Sequence, residues 1–246
     1  MTGKRLLPTQ AATALRIRLF QPTQRPREQS GKLIETPWGE CRVKGRLGQR
    51  HADVIESILF SAERKRTTED GAVEVLIDPA KIRRMLSDRG HSGARLKAWI
   101  EELMGAVVEV KTDWIHVTGH LVDHVVHSQK TRSNPLNDKE RHLWRVRLGL
   151  PLVTLIEKDR PMNHDPQPIA RLEYGISQAV ARHVLTHSTK SQPNGGWKMD
   201  TAIEAVSGKL TSGTMRNRRR ELRRDAEGLR ESGIEITDKG RIIKTK

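Results

Sequence analysis

The stretch that most constrains the fold runs from Lys209 to Arg224 and reads K-L-T-S-G-T-M-R-N-R-R-R-E-L-R-R. It carries seven basic residues against the single acid Glu221, a net +6 over sixteen positions. Thr211 or Ser212 can accept an orphan backbone N–H and start a helix there. At roughly 100° per residue, Met215, Leu222, Ala226 and Leu229 fall on one narrow stripe. Gly213, Arg216, Asn217, Arg220, Arg223 and Arg224 point the other way. Arg218 and Arg219 flank the stripe, where their stems can pack while their heads reach water. Arg can bond bidentately to guanine, Asn to adenine, and further Arg can hold phosphates.

A solvated basic face is the ordinary meaning of a charge run. Two features weigh against it. The cations are nearly all Arg, the better phosphate and base ligand. The helix is also followed by Ile234-Glu235-Ile236-Thr237, a turn at Asp238-Lys239-Gly240, and Arg241-Ile242-Ile243-Lys244. Helix, basic helix and basic hairpin in that order read as a winged helix. The expected DNA contacts here are Lys209, Thr211, Ser212, Gly213, Thr214, Arg216, Asn217, Arg218, Arg220, Arg223 and Arg224. Lys239 and Arg241 join them from the hairpin.

The net charge of +15 and pI near 10.4 call for a polyanionic partner. Nucleic acid comes first and an anionic membrane surface second. No run approaches the ~18 apolar residues of a membrane span, and the start of the chain has no apolar core of a secretory signal. Cys41 is the only cysteine, so no internal disulfide forms and a reducing cytoplasm fits. Aromatics make up 3% of the chain, which counts against sheets that stack single-stranded bases.

Residues 1–31 are rich in Pro, Gln, Thr and Arg and read as a tail or arm, with Ala14–Phe20 able to form a strand. Residues 32–150 read as a first unit. It has a strand over Trp38–Gly45, a helix over Arg50–Arg66 and a strand over Ala72–Ile77. A helix capped by Asp78 follows, then a second capped by Ser92 and a hairpin across Lys111–Asp113. His91, Ser92, Ala94, Arg95 and Lys97 are its candidate DNA contacts. Between Asp88 and Met104, however, cations and acids balance, so weaker binding or protein contacts are expected there. Strands over Leu121–Val126 and Trp144–Leu148 flank a polar loop at Ser128–Glu140. Pro151–Ile156 suits a short helix within a linker at 151–168. A second unit, 169–246, has helices over Gly175–His187 and Thr201–Val206, with Asp200 as cap. The fold expected is α+β, two tandem winged-helix domains.

Thr201-Ala202-Ile203-Glu204, Ser212–Arg220 and Leu229-Arg230-Glu231-Ser232-Gly233 resemble the RepC-type initiators of IncQ plasmids, and TrfA-type initiators are similar there. Ala14–Phe20 is also similar to an early segment of theirs. The likeness is in motif over 200–235 and in architecture over 33–125. It implies a plasmid replication initiator that binds origin direct repeats (iterons), helps to open adjacent AT-rich DNA and recruits a replicative helicase or host factors. Self-association is a further expectation.

Other chemistries fit less well. Gly208-Lys209 lacks the earlier glycine and the Ser or Thr of a phosphate loop, since Ile203 and Leu210 stand there. His124 and His127 face opposite sides of a strand, and Tyr174, the only tyrosine, would have to be the nucleophile of a rolling-circle nickase. His183 and His187 have zinc-like spacing without a third ligand. No cofactor, metal or catalytic residue is expected. The alternatives are a transcriptional repressor or copy-control protein and, as an enzyme, the nickase.

Overall fold

The computed structural model describes residues 7–87, 90–133 and 140–245. The chain opens with β1 (Gln10–Ala11) and α1 (Ala12–Arg16), followed by β2 (Gln29–Ser30), β3 (Ile34–Thr36) and β4 (Gly39–Gly45). Residues 1–6 of the expected tail lie outside the described residues; from Leu7 on it is built into the body, and Ala14–Phe20 is not a strand. Leu7, Ala11, Ala14, Leu15, Ile17, Leu19 and Phe20 are all buried. The basic residues between them reach the second unit. Arg16 donates to Thr186 Oγ1 and O, both at 2.8 Å. Arg18 donates to the Ala205 and Glu204 carbonyls at 2.9 and 3.0 Å. The alternation of apolar and basic residues thus serves two partners, not two faces of a sheet.

Next come α2 (Gln49–Ser61), β5 (Arg64–Thr67), β6 (Val73–Ile77), α3 (Pro79–Leu86), α4 (Gly93–Gly105), β7 (Val107–Lys111), β8 (His116–His120), β9 (Val122–Ser133), β10 (Glu140–Leu148) and α5 (Leu150–Lys158). The helix expected through Arg66 stops at Ser61, because Glu63-Arg64-Lys65-Arg66 offers no apolar residue to continue its buried face. Arg64–Thr67 pairs antiparallel with β6 instead. Asp78 caps α3 through Ala80 N–H, with Pro79 at its start, and Ser92 caps α4 through Arg95 N–H. One sheet runs β2-β4-β7-β8, with β3 also on β4, and another runs β5-β6-β10-β9. β6, which with β5 lies between α2 and α3, therefore joins a different sheet from the β7–β8 hairpin. The hairpin pairs with β4, which precedes the helices. The polar loop expected at Ser128–Glu140 is shortened by β9 and β10, and its centre, 134–139, lies outside the described residues. So do Asp88 and Arg89, which entered the charge balance of the α4 region.

The expected linker at 151–168 is also part of the body. Leu152, Val153 and Leu155 of α5 enter the first core, and β11 (Pro161–Met162) pairs with β1. The remaining elements are α6 (Gln167–Ala170), α7 (Gly175–Leu185), β12 (Trp197–Lys198), α8 (Met199–Ser207), α9 (Ser212–Arg224), α10 (Ala226–Glu231), β13 (Ile234–Ile236) and β14 (Arg241–Lys244). The last sheet has the order β12-β14-β13. A second core, from Ile169 to Ile242, gathers Ile176, Val180, Ile203, Leu222 and Leu229. The whole is mixed α+β.

The two cores meet where α2 packs on α7. Arg182, 2% exposed, donates to both Glu56 oxygens at 2.9 and 2.8 Å, to Asp53 Oδ1 at 2.5 Å and to Gln49 Oε1 at 2.7 Å. Arg50 adds a bond to Asp53 at 3.2 Å. Burial alone would raise the Glu56 carboxyl, but Arg182 and His164 beside it hold it down at about 2. A buried charge is tolerable only when paired and hydrogen-bonded, and here two arginines meet two acids.

Candidate nucleic-acid interface

Thr211 caps α9 by accepting the Thr214 N–H, and its hydroxyl also bonds the Thr214 hydroxyl at 2.9 Å. The buried seam is Met215 and Leu222, with Leu229 continuing it in α10. The stripe is not one straight helix: α9 ends at Asp225, where α10 begins. That carboxylate, 8% exposed, accepts the Glu173 and Tyr174 N–H groups at 3.1 and 2.9 Å. It thereby supplies an acid to the start of α7, where orphan donors and the helix dipole favour one.

Asp200 does not cap α8, as the sequence suggests. Lys198 holds that position, and Asp200 in the first turn forms a bidentate pair with Arg219. The pair holds α9 against α8, raises the Arg219 pKa and lowers that of Asp200. Gly208 makes the turn between these helices with φ +78°, a conformation only Gly adopts cheaply. The Arg18 guanidinium lies against it and bonds the last carbonyls of α8, where a cation is favoured.

The remaining side chains of α9 divide clearly. Arg218 pairs with Glu221 at 2.9 Å and lies half-buried beside the seam. Arg224 donates to the Tyr174 hydroxyl at 3.1 Å, which raises its pKa. Arg220 is exposed and, among the described residues, reaches only the Asn217 amide oxygen, at 3.4 Å. Arg216 and Arg223 are exposed and have no ion pair among the described residues. Arg216, Arg219, Arg220, Arg223 and Arg224 line one open hollow. Ser212, Gly213 and Thr214 are exposed at the start of α9, and Lys209 just before it.

The β13–β14 hairpin stands beside this face. A Cβ built on Gly240, in its turn, would lie 4.0 Å from Arg223 Nη2. Lys239 is exposed at the tip. Arg241 is not free to join it, because its guanidinium donates to the Gly196 carbonyl at 3.1 Å and ties β14 to the loop before β12.

The corresponding surface of the first unit is weaker. On α4, Ser92, Ala94, Arg95 and Lys97 are exposed. Lys97 faces Glu101 at 3.7 Å, and Arg95 lies over the Trp99 ring at 5.7 Å. His91 packs edge-on against the same ring at 4.9 Å, and burial lowers its pKa. Glu102 is bound by His51 of α2 at 2.7 Å. This helix offers small residues and few uncommitted charges.

Set against protein-family models, curated proteins and solved structures, the chain matches none of them. The function must therefore be read from the geometry. Arg16, Arg18 and Arg182 were missed by pattern reading, although each ties the first unit to the second and Arg18 lies at the turn before α9. Arg182 carried no local signal: the fold buries Gly175–Val184 on every side, and the charged partners that such a helix requires lie on α2.

Proposed function

We propose that the chain is a sequence-specific double-stranded DNA-binding protein made of two winged-helix units. We further propose that it acts as a plasmid replication initiator on origin direct repeats. The observation that carries the DNA reading is the face of α9. Arg216, Asn217, Arg220 and Arg223 are presented together beside a hairpin with a basic tip, while neighbouring arginines are consumed in fixing the helix. Arg and Asn on an exposed helix are the side chains that read guanine and adenine edges in a major groove.

Support for the winged-helix assignment differs between the units. In the second, α7, β12, α8, α9 and the β13–β14 hairpin follow in order, and β12 closes the sheet by pairing with β14. In the first, β4 takes that place from a different point in the chain. Two such surfaces in one polypeptide can span successive major-groove faces of a repeat, roughly 10–10.5 bp apart. A row of bound copies can then strain adjacent flexible AT-rich steps. The resemblance over 200–235 supports the initiator reading, with a helicase or host factors as partners.

The test is footprinting of the full chain on the DNA flanking its own gene. Several protected direct repeats are expected, together with permanganate-reactive thymines beside them in supercoiled DNA. A single protected palindrome without unpaired thymines would identify a repressor. Metal-dependent nicking lost in Tyr174→Phe would identify a nickase. Tyr174 belongs to the second core and is bound by Arg224, whereas His120, His124 and His127 lie on strands of the first unit.

A further inference from the structure

The sheet β5-β6-β10-β9 ends in an open edge far in sequence from α9. Among the described residues β5 pairs only with β6, and all four of its residues, Arg64-Lys65-Arg66-Thr67, are exposed. The Thr68 N–H donates to the Ala72 carbonyl at 2.8 Å, which makes these two a hydrogen-bonded pair. Pairs alternate along an antiparallel ladder. Arg66/Glu74 and Arg64/Leu76 are therefore bonded to each other, and Lys65 and Thr67 turn their N–H and C=O groups outward. A shallow groove beside this edge is lined by Arg64, Lys65, Arg66, Glu74, Leu76 and Arg145. Its one acid is already held, by Arg66 at 2.6 Å and Arg145 at 3.9 Å. Arg64 has no ion pair among the described residues.

We propose that the open edge of β5 is a docking site for an extended acidic segment of a partner protein. Such a segment adds as a strand: backbone bonds to Lys65 and Thr67 supply affinity, and the carboxylates on one of its faces meet Arg64. The charges choose the occupant. A second copy pairing edge to edge would set Arg-Lys-Arg against Arg-Lys-Arg, and like charges across a strand pair repel. A nucleic acid would find the cations but no use for the outward row of backbone groups or the apolar Leu76. Edge charges also serve simply to keep copies apart; in that case acidic strands gain nothing there.

The experiment measures anisotropy of a fluorescein-labelled octapeptide of alternating Asp and Val with the full chain. Saturable binding is expected. Arg64→Glu weakens it at least tenfold. Lys65→Pro removes it, since the lost N–H faces outward and the β6 ladder is kept. The same peptide with N-methylated amides fails to bind, and Arg220→Ala changes nothing. Absence of saturable binding, binding that survives Lys65→Pro, or binding lost in Arg220→Ala overturns the proposal. Displacement of the peptide by a dT20 oligonucleotide that itself loses affinity in Arg64→Glu assigns the groove to nucleic acid. A dimer that Lys65→Pro dissociates assigns it to self-pairing.

Discussion

The helices α4 and α9 are each 13 residues long, each is capped by a hydroxyl residue, and each follows a shorter helix and precedes a hairpin, directly for α4 and after α10 for α9. They differ in what their exposed charges are doing. On α4 two cations balance two acids; Lys97 faces Glu101, and Arg95 lies on Trp99. On α9 the acids are few, and the structure places Asp200, Glu221 and Tyr174 only where Arg219, Arg218 and Arg224 need fixing. The lesson is that a charge total says less than a list of commitments. Within the +6 of the Lys209–Arg224 stretch the committed arginines lock the helix while Arg216, Arg220 and Arg223 remain available, which is what suits it to the proposed interface.

The comparison assumes that both helices are held in one frame, and Arg182 is the residue that tests it. Arg182→Met leaves Asp53 and Glu56 buried beside an apolar side chain. Breaking such a pair costs about 3–5 kcal/mol, read as a lower midpoint in denaturant unfolding. Adding Asp53→Asn and Glu56→Gln should recover part of the loss. An unchanged midpoint would mean that the two units do not depend on this contact.

A second test of the frame uses pH. His183 is 6% exposed and packs between Trp38 of the first unit and His187 of the second, at 5.4 and 5.1 Å. Burial, with the nearby His187, Arg16 and Arg18, lowers its pKa from 6.5 to about 4. The unfolded chain therefore binds a proton between these values and the folded chain does not. Stability is complete above about pH 6.5 and falls as the pH drops toward about 4, by on the order of 2–3 kcal/mol. His187 is lowered to about 4 as well, chiefly by burial, so denaturant midpoints measured across this range should lose only part of their slope in His183→Leu. An equal slope in that variant would place the titration elsewhere.

The difference between the helices themselves is tested on DNA. If Arg220 reads a base, Arg220→Ala costs about 1–3 kcal/mol on the selected duplex and relaxes one position of the site. If it holds only phosphate, the loss is equal on all sequences and the salt slope shrinks. Lys97→Ala, which removes a cation already facing an acid, should cost several-fold less in the same binding titration. Equal losses would erase the distinction drawn between α4 and α9.

How far these helices were legible in sequence follows from the range of their contacts. Asp78-Pro79, Ser92 and Thr211 act within three residues, so the starts of α3, α4 and α9 could be read directly. The β13–β14 hairpin is equally local, and Gly240 in its turn has φ +66°. What escaped depends on distant partners. Arg18 meets Ala205 across 187 positions and Arg182 meets Glu56 across 126. A composition rich in Pro and Arg suggested a tail because its carbonyl partners lie in another unit. Arg241 seemed available for the same reason, since nothing near it in sequence announces the Gly196 carbonyl. The break at Asp225 escaped because its periodicity is apolar on both sides, and only the N–H groups of Glu173 and Tyr174 explain why the chain turns there.

The smallest effect concerns the feature the two helices share. Ser92 accepts the Arg95 N–H and Thr211 the Thr214 N–H, both from the third helical position. Replacing either by Ala leaves one orphan donor to water and should lower stability by about 1 kcal/mol, the usual cost of losing such a cap. The two variants should therefore match in a thermal melt and part in a binding titration. Loss of the Thr211 cap frays the turn carrying Ser212, Gly213 and Thr214, next to Arg216, and so loosens the surface proposed to enter the groove. Loss of the Ser92 cap frays a turn that carries Ala94 and Arg95, where little binding energy is expected. Affinity falling only in Thr211→Ala, with melts shifted alike, would separate the shared architecture from the unequal use made of it. Affinity falling alike in both would show that α4 contributes as much as α9, and that its balanced charges are rearranged when DNA is bound.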